Sequence, residues 1–206
     1  MNTEEMEFTP RIYTVTGEFN DKMAEDFITW VLQIENDDIL FHECYPEEPL
    51  PCIQINIMSQ GGSCGALNAM LDALDLLDCT IITRCLGYAY SCALYLFVKG
   101  DIRLAGNNTD FLYHECLYGI DGSLSDHRTM LKNSKVLQNK YDDFLCARTN
   151  MTKNFLNSKH GKDYFFDKKT ALELGVVTHD CKVSDLCYLE NLEGDDEVER
   201  RIVVED

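Results

Sequence analysis

Residues 91–98 (Ser-Cys-Ala-Leu-Tyr-Leu-Phe-Val) put apolar side chains on every side of a helix. Such a helix is stable only when other elements surround it, so it must lie at the centre of a layered fold. The flanking chain supplies the layers. Residues 11–18 read as a strand that ends at Gly17. Asn20 or Asp21 can cap a following helix, whose Met23, Phe27, Val31 and Ile34 recur on one face. The acidic, proline-containing stretch 36–51 reads as an exposed loop. Residues 52–58 form a short strand, broken at Ser59-Gln60-Gly61-Gly62. A helix is expected from Cys64 to Leu77, a strand over 79–86 ended by Gly87, and a short strand over 110–114. Residues 125–148 predict a long, mostly polar helix. Its narrow stripe of Met130, Leu137, Tyr141, Phe144 and Leu145 suggests that it projects or packs on a partner. A short helix over 168–175 closes on Gly175. Strands alternating with helices predict an α/β domain with a largely parallel sheet.

Charge narrows the function. The 206 residues carry a net charge of −18, which would repel a phosphate backbone or an anionic membrane. No nucleic acid or membrane partner is therefore expected. No apolar run reaches spanning length. The acidic first ten residues lack the order of a secretion signal, so a cytoplasmic location is expected. The ten cysteines contain no C-x-x-C pair. They read as reduced, mostly buried thiols, with no metal site and no cofactor. The tail from Glu190 is strongly acidic and reads as solvated.

Three places can carry chemistry, and each has a plainer explanation. Gly61-Gly62, between a strand and a helix, is either a tight turn or a pair of bare backbone N–H groups able to hold an oxyanion. Ser91 opens the buried helix, so its hydroxyl is either a cap or a nucleophile beside the N–H of Cys92. His114 closes the apolar run Phe111-Leu112-Tyr113 and is either a satisfied polar group or a base. His42, His127, His160 and His179 fall in polar stretches and are less well placed. Asp163 precedes the aromatic run Tyr164-Phe165-Phe166, which would shield it from water and suit it to orienting a histidine.

Taken in order, these pieces resemble the proteolytic subunit of the Clp protease, ClpP, within the ClpP/crotonase fold. The resemblance covers residues 11–180. Ile55-Asn56 through Gly61-Gly62 resembles the family's I-N-S-P-G-G, and Gly87-Tyr88-Ala89-Tyr90-Ser91-Cys92-Ala93 its G-M-A-A-S-M-G. Tyr113-His114-Glu115 resembles M-I-H-Q-P, and Asp163 with Phe165, Ala171, Gly175 and Val177 its aspartate segment. The chain departs from these patterns at Gln60, Ala93 and Cys116, where the family has proline, glycine and proline.

The resemblance implies one domain of repeated β-β-α-type units: a head over 11–122 and 160–180, a protruding handle over about 123–159, and a C-terminal segment over 181–206. It implies a serine peptidase with Ser91 as nucleophile, His114 as base, Asp163 as orienting carboxylate, and Gly61, Gly62 and Cys92 as oxyanion donors. Heptameric rings stacked in pairs through helix 125–148, a partner AAA+ unfoldase and unfolded polypeptide substrates follow from the same source. Two other functions share the fold: a non-catalytic ring subunit, and a crotonase-type acyl-CoA enzyme. The second has no use for a Ser/His/Asp set, and the chain shows no basic cluster for the phosphates of coenzyme A.

Overall fold

The computed structural model describes residues 9–180. In chain order the elements are β1 (Ile12–Phe19), α1 (Asp21–Cys44), β2 (Ile53–Gly62), α2 (Cys64–Leu74), β3 (Ile81–Tyr90), α3 (Cys92–Lys99), β4 (Ile102–Ala105), β5 (Asp110–Tyr113), α4 (Leu124–Arg148), α5 (Lys153–Lys159), β6 (Tyr164–Asp167) and α6 (Lys168–Glu173). The strands form one sheet in the order β1-β2-β3-β5-β6, with β4 also paired to β3. Every pairing is parallel except β5 with β6. The α/β class and the central place of α3 stand as expected: Cys92–Val98 are all buried.

Several boundaries differ from the sequence reading, each for a physical reason. Helix α1 continues to Cys44 through much of the expected loop. No glycine or proline interrupts it before Pro46, which disfavours helix at Tyr45. Its polar end is used: Asp38 is buried and pairs with Arg11 at 2.7 Å. Strand β2 runs through both glycines instead of breaking, with Glu18 opposite Gly61 and Phe19 opposite Gly62. Strand β3 likewise passes Gly87, whose φ of +93° lets the chain bulge. Beyond that bulge β3 changes neighbour, from β4 (Cys85 opposite Ala105) to β5 (Tyr88 opposite Asp110). Strands β4 and β6 and helix α5 had no clear sequence signal.

Helix α4 needs a similar correction. Tyr141 and Leu145 are buried in the chain's own core, and Leu137 and Phe144 pack against it. Among the described residues, only the first half of the helix is unpartnered, where Leu124 and Val136 are 68% and 63% exposed. The acidic tail, Cys181 and Cys187 lie outside the described residues.

One buried cation ties the end of this assembly together. Arg103 on β4 is 6% exposed, and its five donors find five carbonyls. Nε donates to Val176, Nη1 to Val98 and Gly100, and Nη2 to Arg148 and Gly175, at 2.8–3.5 Å. The last turns of α3 and α4 and the turn after α6 are thus held at one point. Replacing Arg103 by Met should cost about 3 kcal/mol or more, because it strands buried acceptors. Urea denaturation of the two proteins reads that difference.

Candidate active site

Parallel strands deliver their carboxyl ends to one side of a sheet, and three of them end together here. β2 finishes in Gly61-Gly62, β3 runs into Ser91, and β5 runs into His114. The pairing of Tyr90 with Leu112 sets Ser91 and His114 just beyond neighbouring strand ends.

Ser91 is the sole non-glycine residue with positive φ among the described residues, at φ 55° and ψ −123°. A serine held there costs on the order of 1–3 kcal/mol and marks a site where the surroundings dictate the backbone. Its N–H donates to Leu112 O at 3.0 Å, which anchors the turn. Its side chain makes no capping hydrogen bond with α3, so the cap explanation fails. The hydroxyl therefore stands at the N-terminus of a buried helix without capping it.

Gly61 explains how so sharp a turn is held. A Cβ on Gly61 would lie 2.6 Å from Tyr90 O, 2.8 Å from Cys92 N and 2.9 Å from Ser91 Cβ. The end of β2 is thus pressed against the Ser91 turn, and φ +86° adds a second reason for glycine. The N–H of Gly61 donates to the buried Ser59 Oγ at 3.0 Å. The N–H of Cys92, at the first position of α3, has no intrahelical acceptor. Gly62 is held against Phe19, where a Cβ would approach Phe19 N to 2.8 Å.

These groups share a cavity of about 420 Å³ whose walls include Gly61, Gly62, Ser91, Cys92 and His114. His114 is half-buried, and its Nδ1 lies 2.6 Å from Glu115 O. A carbonyl only accepts, so Nδ1 carries the proton and Nε2 is left with the lone pair. Asp163 does not line the cavity. The antiparallel pairs Phe111–Phe166 and Tyr113–Tyr164, continued by one step, set Asp163 across from His114. Yet its side chain is exposed and makes no hydrogen bond to His114; the Glu115 carbonyl holds Nδ1 instead. The expected aromatic shield is also absent. Alternation along β6 buries Phe166 and leaves Phe165 57% exposed on the side of Asp163.

The sequence reading missed the group that holds the histidine segment. His160, which falls in a polar stretch of the sequence, is half-buried, and its Nε2 lies 3.0 Å from Tyr113 Oη and 3.2 Å from Asp142 Oδ2. Tyr113 donates to Asp142 Oδ1 at 2.8 Å, as does Gln138 Nε2. Burial, then the Asp142 carboxylate, push the Tyr113 phenol well above its usual range. Gln138 Oε1 in turn accepts from the N–H of Cys116 at 2.7 Å, a bond that proline at this position could not make. The available signal was Gln138 and Asp142, four residues apart beside the apolar Tyr141 and Leu145.

Chemically, the cavity offers a hydroxyl that caps no helix, an imidazole whose Nε2 is unpartnered among the described residues, and backbone N–H groups beside them. The Clp protease family model matches residues 3–182. The chain is 30% identical over 169 residues to ATP-dependent Clp protease proteolytic subunit 2 of Bacillus licheniformis, an alignment that covers 81% of this chain and 84% of the relative. A match of that extent, on a sheet that brings these groups into one cavity, means that this chain is a member of the Clp protease family.

Proposed function

We propose that this Clp-type peptidase is a serine endopeptidase whose nucleophile is Ser91. The observation that carries the reading is the Ser91 turn: an uncapped hydroxyl at positive φ, at the head of a buried helix, in the same cavity as His114. His114 Nε2 takes the hydroxyl proton as Oγ attacks the scissile carbonyl, then gives it to the leaving amine. Water releases the acyl group by the same route in reverse. The developing oxyanion is held by the N–H of Cys92 with that of Gly61 or Gly62. If Gly61 is that second donor, it must exchange its bond to Ser59 Oγ for the oxyanion. One such donor contributes about 2.7–4 kcal/mol to the barrier.

Asp163 completes the triad when its carboxylate displaces the Glu115 carbonyl from His114 Nδ1. The strand register favours this step, since the two residues lie opposite each other. Substrates are unfolded polypeptides, and the protein works in the cytoplasm in heptameric rings that stack in pairs, fed by an AAA+ unfoldase. The head spans 11–122 and 160–180 and the handle about 123–159. The exposed apolar residues on the first half of α4 support stacking through that helix. The unmade His114–Asp163 bond keeps a second reading in view, a ring subunit without catalysis.

Ser91→Ala should abolish labelling by a fluorophosphonate probe and lower peptide hydrolysis by about 10³-fold or more, with assembly unchanged. A variant that keeps full activity would exclude Ser91. Asp163→Asn should reduce kcat by at least about 10²-fold if the carboxylate reaches the imidazole; an unaltered kcat would leave the Glu115 carbonyl as the working partner. Leu131→Glu, at an exposed position on α4, should halve the sedimenting mass by parting stacked rings.

A further inference from the structure

Three cysteines, Cys64, Cys92 and Cys116, line the cavity that holds Ser91 and His114. None has a part in the peptidase chemistry through its thiol. Cys64 is the first residue of α2 and Cys92 the first of α3, so two helix N-termini converge on one pair of sulfurs. The sulfurs are 3.9 Å apart. Cys92 Sγ also lies 3.2 Å from Gly62 O, and its single proton serves one of these partners at a time. Cys64 is half-buried, which leaves it in reach of a small solute from the cavity.

We infer that Cys64 and Cys92 form a modification site for hydroperoxides, closing to a disulfide across the oxyanion hole. This rests on the serine-peptidase reading only for its effect on activity. In the first step the Cys64 thiolate attacks one oxygen of the hydroperoxide. The S–O bond forms, the O–O bond breaks, and the other oxygen leaves as alkoxide or hydroxide and takes a proton from solvent. Cys92 Sγ then gives up its proton and attacks Cys64 Sγ. The S–S bond forms, the S–O bond breaks, and the released hydroxide with that proton makes water. Two thiols lose two electrons and the hydroperoxide gains them.

The environment favours Cys64 as the attacking sulfur. Hydrogen bonds from Cys116 and then Cys92 hold its thiol well below the ordinary range, against the opposing effect of burial. Cys92 is buried, and its contact with Gly62 O at 3.2 Å keeps the proton on its sulfur. A half-buried sulfur at the start of α2, 3.9 Å from a buried sulfur that keeps its proton, is the arrangement of an attacking and a resolving cysteine. Closing 3.9 Å to the ~2.05 Å of a disulfide needs side-chain rotation at two helix starts. Cys92 then loses its contact with Gly62 O and is tied to α2, one residue after the nucleophile.

The assembled protein is treated with hydrogen peroxide, mapped by non-reducing peptide mass spectrometry and assayed on a fluorogenic peptide. A Cys64–Cys92 cross-link is expected, with at least a tenfold fall in hydrolysis that dithiothreitol reverses. Cys64→Ala should keep its basal activity and resist peroxide. Iodoacetamide at pH 6 should alkylate Cys64 in the untreated protein before the other described cysteines, which reads the thiolate without any variant. No cross-link, a bond from Cys64 to Cys116, or equal peroxide sensitivity in Cys64→Ala would overturn the site. A cross-link in a protein that never hydrolyses peptide would uphold the thiol pair and overturn the peptidase reading instead.

Discussion

The structure depends on a collision avoided at Gly61. The end of β2 passes so close to the Tyr90–Ser91–Cys92 turn that no side chain fits between them. That contact fixes Ser91 in a conformation that a free serine rarely adopts, and sets the β2 amides beside the first N–H of α3. A hydroxyl, a helix N-terminus and backbone donors are then brought together by packing, with no flexible loop involved. Helix α3, buried from Cys92 to Val98, supplies the wall behind them. Arg103 holds the far end of the same helix by binding the carbonyls of Val98 and Gly100.

His114 is positioned by a different device. The segment 113–116 is gripped by α4 through Tyr113, Gln138 and Asp142, and by His160 at the end of α5. The position of the base therefore follows the position of α4. Cys116 gives this grip a hydrogen bond that the family's proline lacks, so one departure from the pattern has a structural purpose. Ala93 is buried in α3, and Gln60 is an exposed strand residue.

Much of the fold was legible because the relevant forces are local. The period of Phe27, Val31 and Ile34, the unbroken apolar run after Ser91, and the positive φ at Gly175 are written in neighbouring residues. The errors lie where a distant partner decides. Residues 36–44 look like loop because they are acidic, and are helix because Arg11 and the N–H of Thr9 take up Asp38 and Asp37. Strand β4 was missed because it centres on an arginine, which is buried only through carbonyls from three other elements. His160 looked solvent-bound for the same reason.

The sequence by itself determined which chemical groups the site contains. Glycines, a serine at a helix start and a histidine at a strand end have their types and order set by short-range geometry. Tertiary structure decided their relations. Parallel register brought Ser91 and His114 to adjacent strand ends, and three cysteines from distant segments to one cavity. It also left Asp163 across from His114 but exposed, with the Glu115 carbonyl on the imidazole. Residue type sets what a group can donate or accept, whereas a hydrogen bond needs two groups within about 3 Å of each other. Segments far apart in the chain reach that distance only once the sheet has formed.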